Sequence, residues 1–218
     1  MNAVVIMSPV PPSYRMPATP VHTTEFEIKR SQFISFAGPA SHRQEAETFI
    51  RQIREQYPQA RHVCWAYIAG APNTTVLSMS DDGEPSGTAG RPMLNVLQHS
   101  GLGEIVVAVV RYFGGIKLGT GGLQRAYSDA VSQVLEDLPT CLRIPRERVQ
   151  LRFDYAHEAL VRHLLGECDV LLGEAEYSEC VLLTIEAATD EWSSLQRRLV
   201  NQTAGNVTLW CESDGHLF

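Results

Sequence analysis

The most regular hydrophobic pattern of this chain lies between residues 104 and 138. Residues 105–110 form a continuous run of β-branched and small apolar side chains, which is typical of a strand buried on both faces. A glycine-rich segment follows, and from Leu123 apolar residues return at helical spacing, with Thr120 suited to be the N-cap. The pattern predicts a strand, a loop and an amphipathic helix with a buried stripe at positions 123, 126, 127, 130, 131, 134, 135 and 138.

Weaker patterns on the N-terminal side predict the other elements of a first domain. Pro58 ends one predicted helix, and Pro92 suits the first turn of another. The acids, glycines and prolines of residues 81–92 predict a loop. The predicted elements are, in order, two strands within 22–37, a helix from Ser41 as N-cap to about Tyr57, strands at 63–69 and 75–80, and a helix from Pro92 to about Ser100.

The pattern restarts beyond Pro139 and predicts a second domain. Its strands are expected at 148–155, 169–176, 179–187 and 206–212, and its helices at 157–165 and 190–202. This βαββαβ order matches the ferredoxin-like arrangement, in which two helices cover one sheet. We therefore predict domains at 21–142 and 143–218, preceded by a flexible, proline-rich tail at 1–20.

Composition and charge narrow the function classes. A hydrophobic content of 44% is ordinary for a globular protein, and no apolar run approaches the roughly 20 residues that span a bilayer. The net charge of −7 is uneven, because residues 153–218 hold 12 acids and 3 bases whereas residues 1–152 hold 13 acids and 15 bases. This distribution argues against a nucleic-acid clamp formed by the whole chain, and it leaves room for a local basic site. The five dispersed cysteines are typical of reduced thiols in the cytoplasm.

Two short segments share the form Gly-Thr-Ala/Gly-Gly, at 87–90 and 119–122, and each precedes a predicted helix. If both helix starts face one cleft, free backbone N–H groups and helix dipoles converge there and can bind an anion. Residues 111–125 contain three bases and no acid, although glycines can also serve only close packing. The candidate anion- or partner-binding residues are Arg111, Lys117, Gly119, Thr120, Gly121, Gly122 and Arg125, together with Thr88, Gly90 and Arg91.

Three acidic residues, Asp81, Asp82 and Glu84, are expected to form the opposite wall of this cleft. Such carboxylates can bind a hard cation, cap a turn or pair with arginine, and we favour pairing with Arg91 or with arginines of the basic segment. Neither a metal-ligand spacing, a Walker motif nor a serine-hydrolase motif is present in the sequence. The sequence therefore predicts no metal, no cofactor and no catalytic residue.

Two neighbouring pairs of residues allow a functional and a structural interpretation. His62 and Cys64 point to one face of a predicted strand and can form a nucleophile pair, although a buried cysteine is usually inert. Tyr112 and Phe113 can stack on nucleic-acid bases or serve only as core or rim residues. The sequence leaves these alternatives open, with the structural interpretation favoured in both cases.

The segments DDGEPSGTAGRP (81–92) and VVRYFGGIKLGTGGLQRAY (109–127) closely resemble the YigZ/IMPACT family. The resemblance covers about residues 22–212. It implies an α+β protein with an IMPACT N-terminal domain similar to domain two of ribosomal protein S5. The ferredoxin-like C-terminal domain is implied to be similar to domain V of elongation factor G. Eukaryotic members of the family are translational regulators that work by protein contact.

From the resemblance and the basic segment we expect a cytoplasmic, non-enzymatic regulatory or binding protein of translation. The expected partner is the ribosome, RNA or a translation-related protein, with a small anion or phosphate as the group bound in the cleft. No membrane association is expected. The alternative is an enzyme or binder acting on a phosphorylated small molecule in the same cleft, with Asp82 or Glu84 as the base.

Overall fold

The computed structural model describes residues 13–211, which form two compact units of mixed α+β structure. The first unit runs from Tyr14 to Arg143 and the second begins at Ile144. The second unit continues to the end of the described chain at Cys211. The α+β class predicted from the sequence is confirmed. In residues 13–211, no helix is both long and apolar enough to cross a membrane.

The first unit is built on a five-stranded antiparallel sheet. Its strands are β2 His22–Ile28, β3 Ser31–Pro39, β4 His62–Ile68, β5 Leu77–Ser80 and β6 Ile105–Tyr112, and their order across the sheet is β2-β3-β6-β4-β5. Every residue of the central strand β6 is buried except Tyr112, and this confirms the strand that the apolar run predicts. A strand covered on both faces is mostly apolar, and Arg111 is the buried charged residue in β6.

Three helices cover the two faces of this sheet: α1 Arg43–Gln56, α2 Gly90–Ser100 and α3 Thr120–Glu136. One face packs against α2 and α3, and the other packs against α1. The predicted buried stripe of α3 is present, although position 135 is only partly buried. Two N-caps differ from the prediction: His42 caps α1 in place of Ser41, and Gly119 precedes Thr120, the first residue of α3.

A separate two-stranded ribbon joins the two ends of the first unit. β1 (Tyr14–Pro17) pairs antiparallel with β7 (Thr140–Arg143), and the sequence pattern predicts neither strand. The prediction of a flexible tail at 1–20 is therefore wrong for residues 14–17, and its residues 1–12 lie outside the described chain. Local pattern could not show this strand, because its hydrogen-bonding partner lies more than a hundred residues away.

The second unit has the predicted βαββαβ order. Its elements are β8 Arg146–Phe153, α4 Glu158–Gly166, β9 Val170–Tyr177, β10 Val181–Ala188, α5 Thr189–Gln202 and β11 Val207–Cys211. The strand order β11-β8-β10-β9 is the ferredoxin-like arrangement, and the apolar side chains of both helices form one core with the sheet. The predicted last strand extends to residue 212, which lies outside the described residues.

Candidate functional site

The start of α2 is closed by the side chain of Asp81. Its Oδ1 accepts hydrogen bonds from the backbone N–H groups of Ala89 and Gly90 at 3.0 and 2.8 Å, and its Oδ2 accepts one from Gly87 at 2.8 Å. Burial would raise the pKa of Asp81, but these three hydrogen bonds outweigh burial and hold the pKa below its usual value. The carboxylate thus satisfies the amides that an anion would need.

This arrangement corrects the expectation that the α2 start binds a ligand with free amides. Thr88 is buried, and its hydroxyl donates to the carbonyl of Pro85 at 2.6 Å. A Cβ on Gly90 would lie 2.9 Å from the carbonyl carbon of Ser80, so this glycine permits close packing of α2 on β5. Of the three candidates from this segment, only the exposed Arg91 remains accessible to a partner.

The other two loop acids are also held by protein groups. Asp82 Oδ2 accepts the backbone N–H of Val63 at 2.6 Å and lies 2.8 Å from the Arg54 guanidinium. Glu84 is buried and pairs with Arg111, which confirms the favoured arginine pairing for this acid. Asp82, by contrast, finds its arginine on α1 rather than in the basic segment. Within residues 13–211, no three or more His, Cys, Asp or Glu side chains form a metal-binding group.

Cys64 has the environment of a structural thiol. It is fully buried, and its Sγ lies 2.9 Å from the carbonyl oxygen of Asp81 and 3.3 Å from the hydroxyl of Tyr127. Burial raises the pKa of the Cys64 thiol well above its ordinary value, so the nucleophilic thiolate is disfavoured. The ring of His62 lies against the carbonyl oxygen of Asp82, at 2.9 Å from Nδ1. These contacts support the structural interpretation of both residues.

The start of α3, in contrast, is open. Gly119 precedes the helix with φ = 75°, a left-handed conformation that favours glycine, and it provides no side-chain cap. Thr120 and Gly121 are exposed. Within the described chain, no acceptor is found for the backbone N–H groups of Thr120, Gly121 and Gly122. These amides, at the positive end of a 17-residue helix, are the type of group that binds an anion.

Gly121 has no packing reason to be a glycine. A Cβ added there would meet no atom within 4 Å, and the residue lies in the first turn of the helix with no positive φ. Glycine in a helix costs up to about 1 kcal/mol relative to alanine. The absence of a side chain therefore leaves the neighbouring amides accessible at some cost to the helix.

A cavity of about 390 Å³ lies on one side of the α3 start, and we call it the basic cavity. Arg61 and Lys117 are exposed on it, whereas Arg111 is buried. In the described chain, the Arg111 Nε has no hydrogen-bond partner although it is shielded from solvent. The cavity is lined by Arg61, His62, Glu84, Pro85, Arg111, Phe113, Lys117, Leu118, Gly119, Thr120 and Leu123.

A second hollow of about 840 Å³ lies between α2 and α3, and we call it the α2–α3 groove. Its lining includes Arg91 and Arg125 and no acidic residue. The predicted single cleft is therefore divided into two hollows by the first turn of α3. The candidates Arg111, Lys117, Gly119 and Thr120 line the basic cavity, and Arg91, Gly121 and Arg125 line the groove.

Sequence reasoning missed Arg61 as a member of this surface. Arg61 stands one residue before β4, with no neighbouring base to mark it. The only available signal was the position of Arg61 before the buried strand β4. That position does not show which strand pairs with β4, so it could not place Arg61 at the cavity. The prediction that the remaining candidates bind an anion or a partner stays a prediction.

Two regions of the chain match known family models. Residues 29–135 match the Impact N-terminal domain. Residues 151–206 match a domain of unknown function, DUF1949.

Several known proteins are similar to the chain over nearly its whole length. An Escherichia coli (strain K12) protein named IMPACT family member YigZ is 40% identical over 198 residues, 90% of this chain and 97% of the relative. A Bacillus subtilis (strain 168) protein, IMPACT family member YvyE, is 40% identical over 180 residues, 81% of this chain and 82% of the relative. A crystal structure of a hypothetical protein has 38% sequence identity and a TM-score of 0.67, and it covers 92% of this chain and 97% of its own.

Proposed function

The chain belongs to the IMPACT family, and from this premise we propose that it is a non-enzymatic, cytoplasmic binding protein of translation. The first unit binds RNA through its phosphate groups, at the start of α3. The family supports the connection with translation. The geometry of the first unit supports phosphate as the group that is bound.

The observation that carries the proposal is the open start of α3. The backbone N–H groups of Thr120, Gly121 and Gly122 have no acceptors in the described chain. Thr120 lines the basic cavity together with the exposed cations Lys117 and Arg61, whereas Gly121 lines the α2–α3 groove. Backbone amides and a helix dipole stabilise a phosphate, and nearby cations add charge. The one acid in the cavity, Glu84, is already paired with Arg111 and does not oppose an incoming anion.

Cations on both sides of the first turn of α3 favour an extended polyanion over a single ion. The basic cavity presents Lys117 and Arg61, and the α2–α3 groove presents Arg91 and Arg125. Ion pairs within the described residues involve none of these four side chains. A phosphodiester strand that crosses the start of α3 can contact both groups, because it carries a charge at every nucleotide.

The net charges of the two units also favour RNA binding by the first unit. Residues 14–143 contain 12 bases and 12 acids, whereas residues 144–218 contain 6 bases and 13 acids. An acidic unit repels a polyanion. The first unit is therefore the better candidate for RNA contact.

The environment of the loop acids supports binding rather than catalysis. Asp82 is engaged by a backbone amide and by Arg54, and Glu84 by Arg111 and the hydroxyl of Tyr127. A general base must be free to accept a proton from the reacting group. Each carboxylate already has one oxygen held by two protein donors, so the alternative of an enzyme on a phosphorylated small molecule is less well supported.

The test is fluorescence anisotropy with a labelled single-stranded RNA at two salt concentrations. The Lys117→Ala/Arg125→Ala variant removes one cation from each hollow. Because each lost phosphate contact reduces the slope of log K against log salt by roughly 0.7, we expect a slope about 1.4 smaller. We also expect at least tenfold weaker binding at low salt.

The matched control is Arg51→Ala/Arg197→Ala, which removes two exposed cations outside both hollows. Equal losses in the two variants, or no loss in either, would contradict the proposal. Saturable binding of small phosphate esters without RNA binding would favour the small-molecule alternative. Sedimentation with ribosomes that survives the Lys117→Ala/Arg125→Ala change would point to a protein partner instead.

A further inference from the structure

We propose that the basic cavity receives one whole nucleotide, with its phosphate at the start of α3 and its base against Phe113. This inference rests on the proposed function, because it identifies which part of an RNA enters that site. It adds a base-binding half to a site that has so far been described only as an anion site. Four observations support it.

The lining of the basic cavity contains two chemically different sets of groups. Arg61, Lys117 and the start of α3 provide cations and helix amides. The apolar side chains are Pro85, Phe113, Leu118 and Leu123. A phosphate alone uses only the first set, since an ion gains nothing from apolar contact. A nucleotide uses both, because a flat aromatic base is attached to its phosphate.

Phe113 is the side chain that fits the base. It follows β6 directly, and 53% of its surface is exposed. The guanidinium carbon of Arg111 lies 5.7 Å from the centre of its ring, so a buried cation holds the ring at the cavity. Exposed aromatic rings beside basic residues are the standard stacking platform for single-stranded nucleic acids.

Arg111 also has an unused hydrogen-bond donor at this place. Its Nη1 is bound to Glu84, and its Nη2 lies 3.4 Å from the hydroxyl oxygen of Ser31. Its Nε is shielded from solvent and lacks a partner in the described chain. A buried N–H without an acceptor is unfavourable. Because Arg111 lines the cavity, a small shift of its side chain would let this N–H donate to a ligand acceptor there, either a phosphate oxygen or an oxygen or ring nitrogen of a base.

The volume sets the size of the occupant. A cavity of about 390 Å³ is at the small end of the range of small-molecule sites, roughly 300–1,000 Å³. It can accept one nucleotide but not a base-paired duplex. The ligand must therefore be unpaired at this point, as at the end of an RNA or in a loop where one base is turned out.

The experiment measures displacement of labelled single-stranded RNA from the full chain by three competitors: AMP, ribose 5-phosphate and inorganic phosphate. We expect AMP to compete at least about fivefold better than ribose 5-phosphate, since stacking on an aromatic ring contributes that much or more. Phe113→Ala should remove the advantage of AMP, and Phe113→Tyr should restore it. Ile116→Ala is the control, because Ile116 is an exposed apolar residue nearby that does not line the cavity.

The outcomes separate this inference from the proposed function. If RNA binds and AMP competes no better than ribose 5-phosphate in the unmodified chain, the nucleotide site is wrong and the phosphate site stands. If Ile116→Ala reduces the advantage of AMP as much as Phe113→Ala does, the effect is not stacking on Phe113 and the inference fails. If RNA, AMP and phosphate all fail to bind, the proposed function fails together with it.

Discussion

The guanidinium Nη1 of Arg111 lies 2.6 Å from the carboxylate Oε1 of Glu84, and the two side chains are only 6% and 3% exposed. The hydroxyl of Tyr127 donates to the same carboxylate oxygen at 2.9 Å. This buried network joins the loop 81–92 to β6 and to α3. It fixes one wall of the basic cavity, and it explains why an acid stands in a site proposed to bind anions.

Loss of the Glu84 charge is expected to destabilise the first unit strongly. Glu84→Gln leaves Arg111 buried without a counter-ion, and removal of one partner of a buried pair costs about 3–5 kcal/mol. Urea unfolding followed by circular dichroism measures the change in the free energy of unfolding. The control is Glu47→Gln, which breaks an exposed pair with Arg43 and should cost less than about 1 kcal/mol. Similar costs for the two variants would contradict a structural role for the buried pair.

The cap of α2 should make stability depend on pH in the acid range. The pKa of Asp81 is depressed in the folded chain, so its contribution is complete above the ordinary value of about 3.9 and is lost as pH falls through the folded pKa. Asp81→Asn keeps one acceptor oxygen but cannot accept from both Gly87 and the start of α2. It should lower stability at neutral pH by about 1–3 kcal/mol and should flatten the loss below pH ~4. Thermal melts between pH 3 and 7 test this, and an unchanged acid profile would refute it.

Tyr14 should produce the opposite dependence at alkaline pH. Burial, followed by the hydrogen bond to Glu104, raises the pKa of Tyr14 to about 12. Because the unfolded phenol ionises near pH 10, stability should fall as the pH rises above that value towards the folded pKa. Tyr14→Phe should remove part of this loss in denaturant titrations between pH 9 and 11. If the alkaline slope is the same in both proteins, another group titrates there.

Gly121 offers a test in which stability and binding should change in opposite directions. Gly121→Ala should stabilise the chain by up to about 1 kcal/mol, because alanine favours the helix and meets no atom within 4 Å. The added methyl group should weaken RNA binding, because it lies beside the amides of the α3 start. Gly166→Ala is the matched control: this helical glycine of α4 also has open space, so it should raise stability without changing affinity. Unchanged binding by Gly121→Ala would exclude close approach of the ligand there.

Local pattern predicted the elements well because each has a strong internal signal. The apolar run of β6 and the stripe of α3 are continuous in sequence, and both are buried as expected. β1 was missed because its four residues include a proline and form a strand only by pairing with the distant β7. No periodicity within residues 1–20 could indicate a partner so far along the chain.

The candidate site was predicted in composition but not in arrangement. The pairing of Glu84 with an arginine followed from the charges alone, whereas the partner of Asp82 is Arg54, which only the packing of α1 on the sheet brings near. The two Gly-Thr-x-Gly segments look equivalent in sequence. Asp81 closes one of them, and the described residues provide no such cap for the other. That difference depends on side-chain direction, which a motif does not encode.

The antiparallel ribbon of β1 and β7 places Tyr14 directly opposite Arg143, so the first unit starts and finishes at the same point on its surface. A domain whose two ends are adjacent can be inserted into a loop of another protein without distorting the domain or the loop. The same adjacency permits circular permutation, with a short linker across the old ends and new termini in the turn at 71–75.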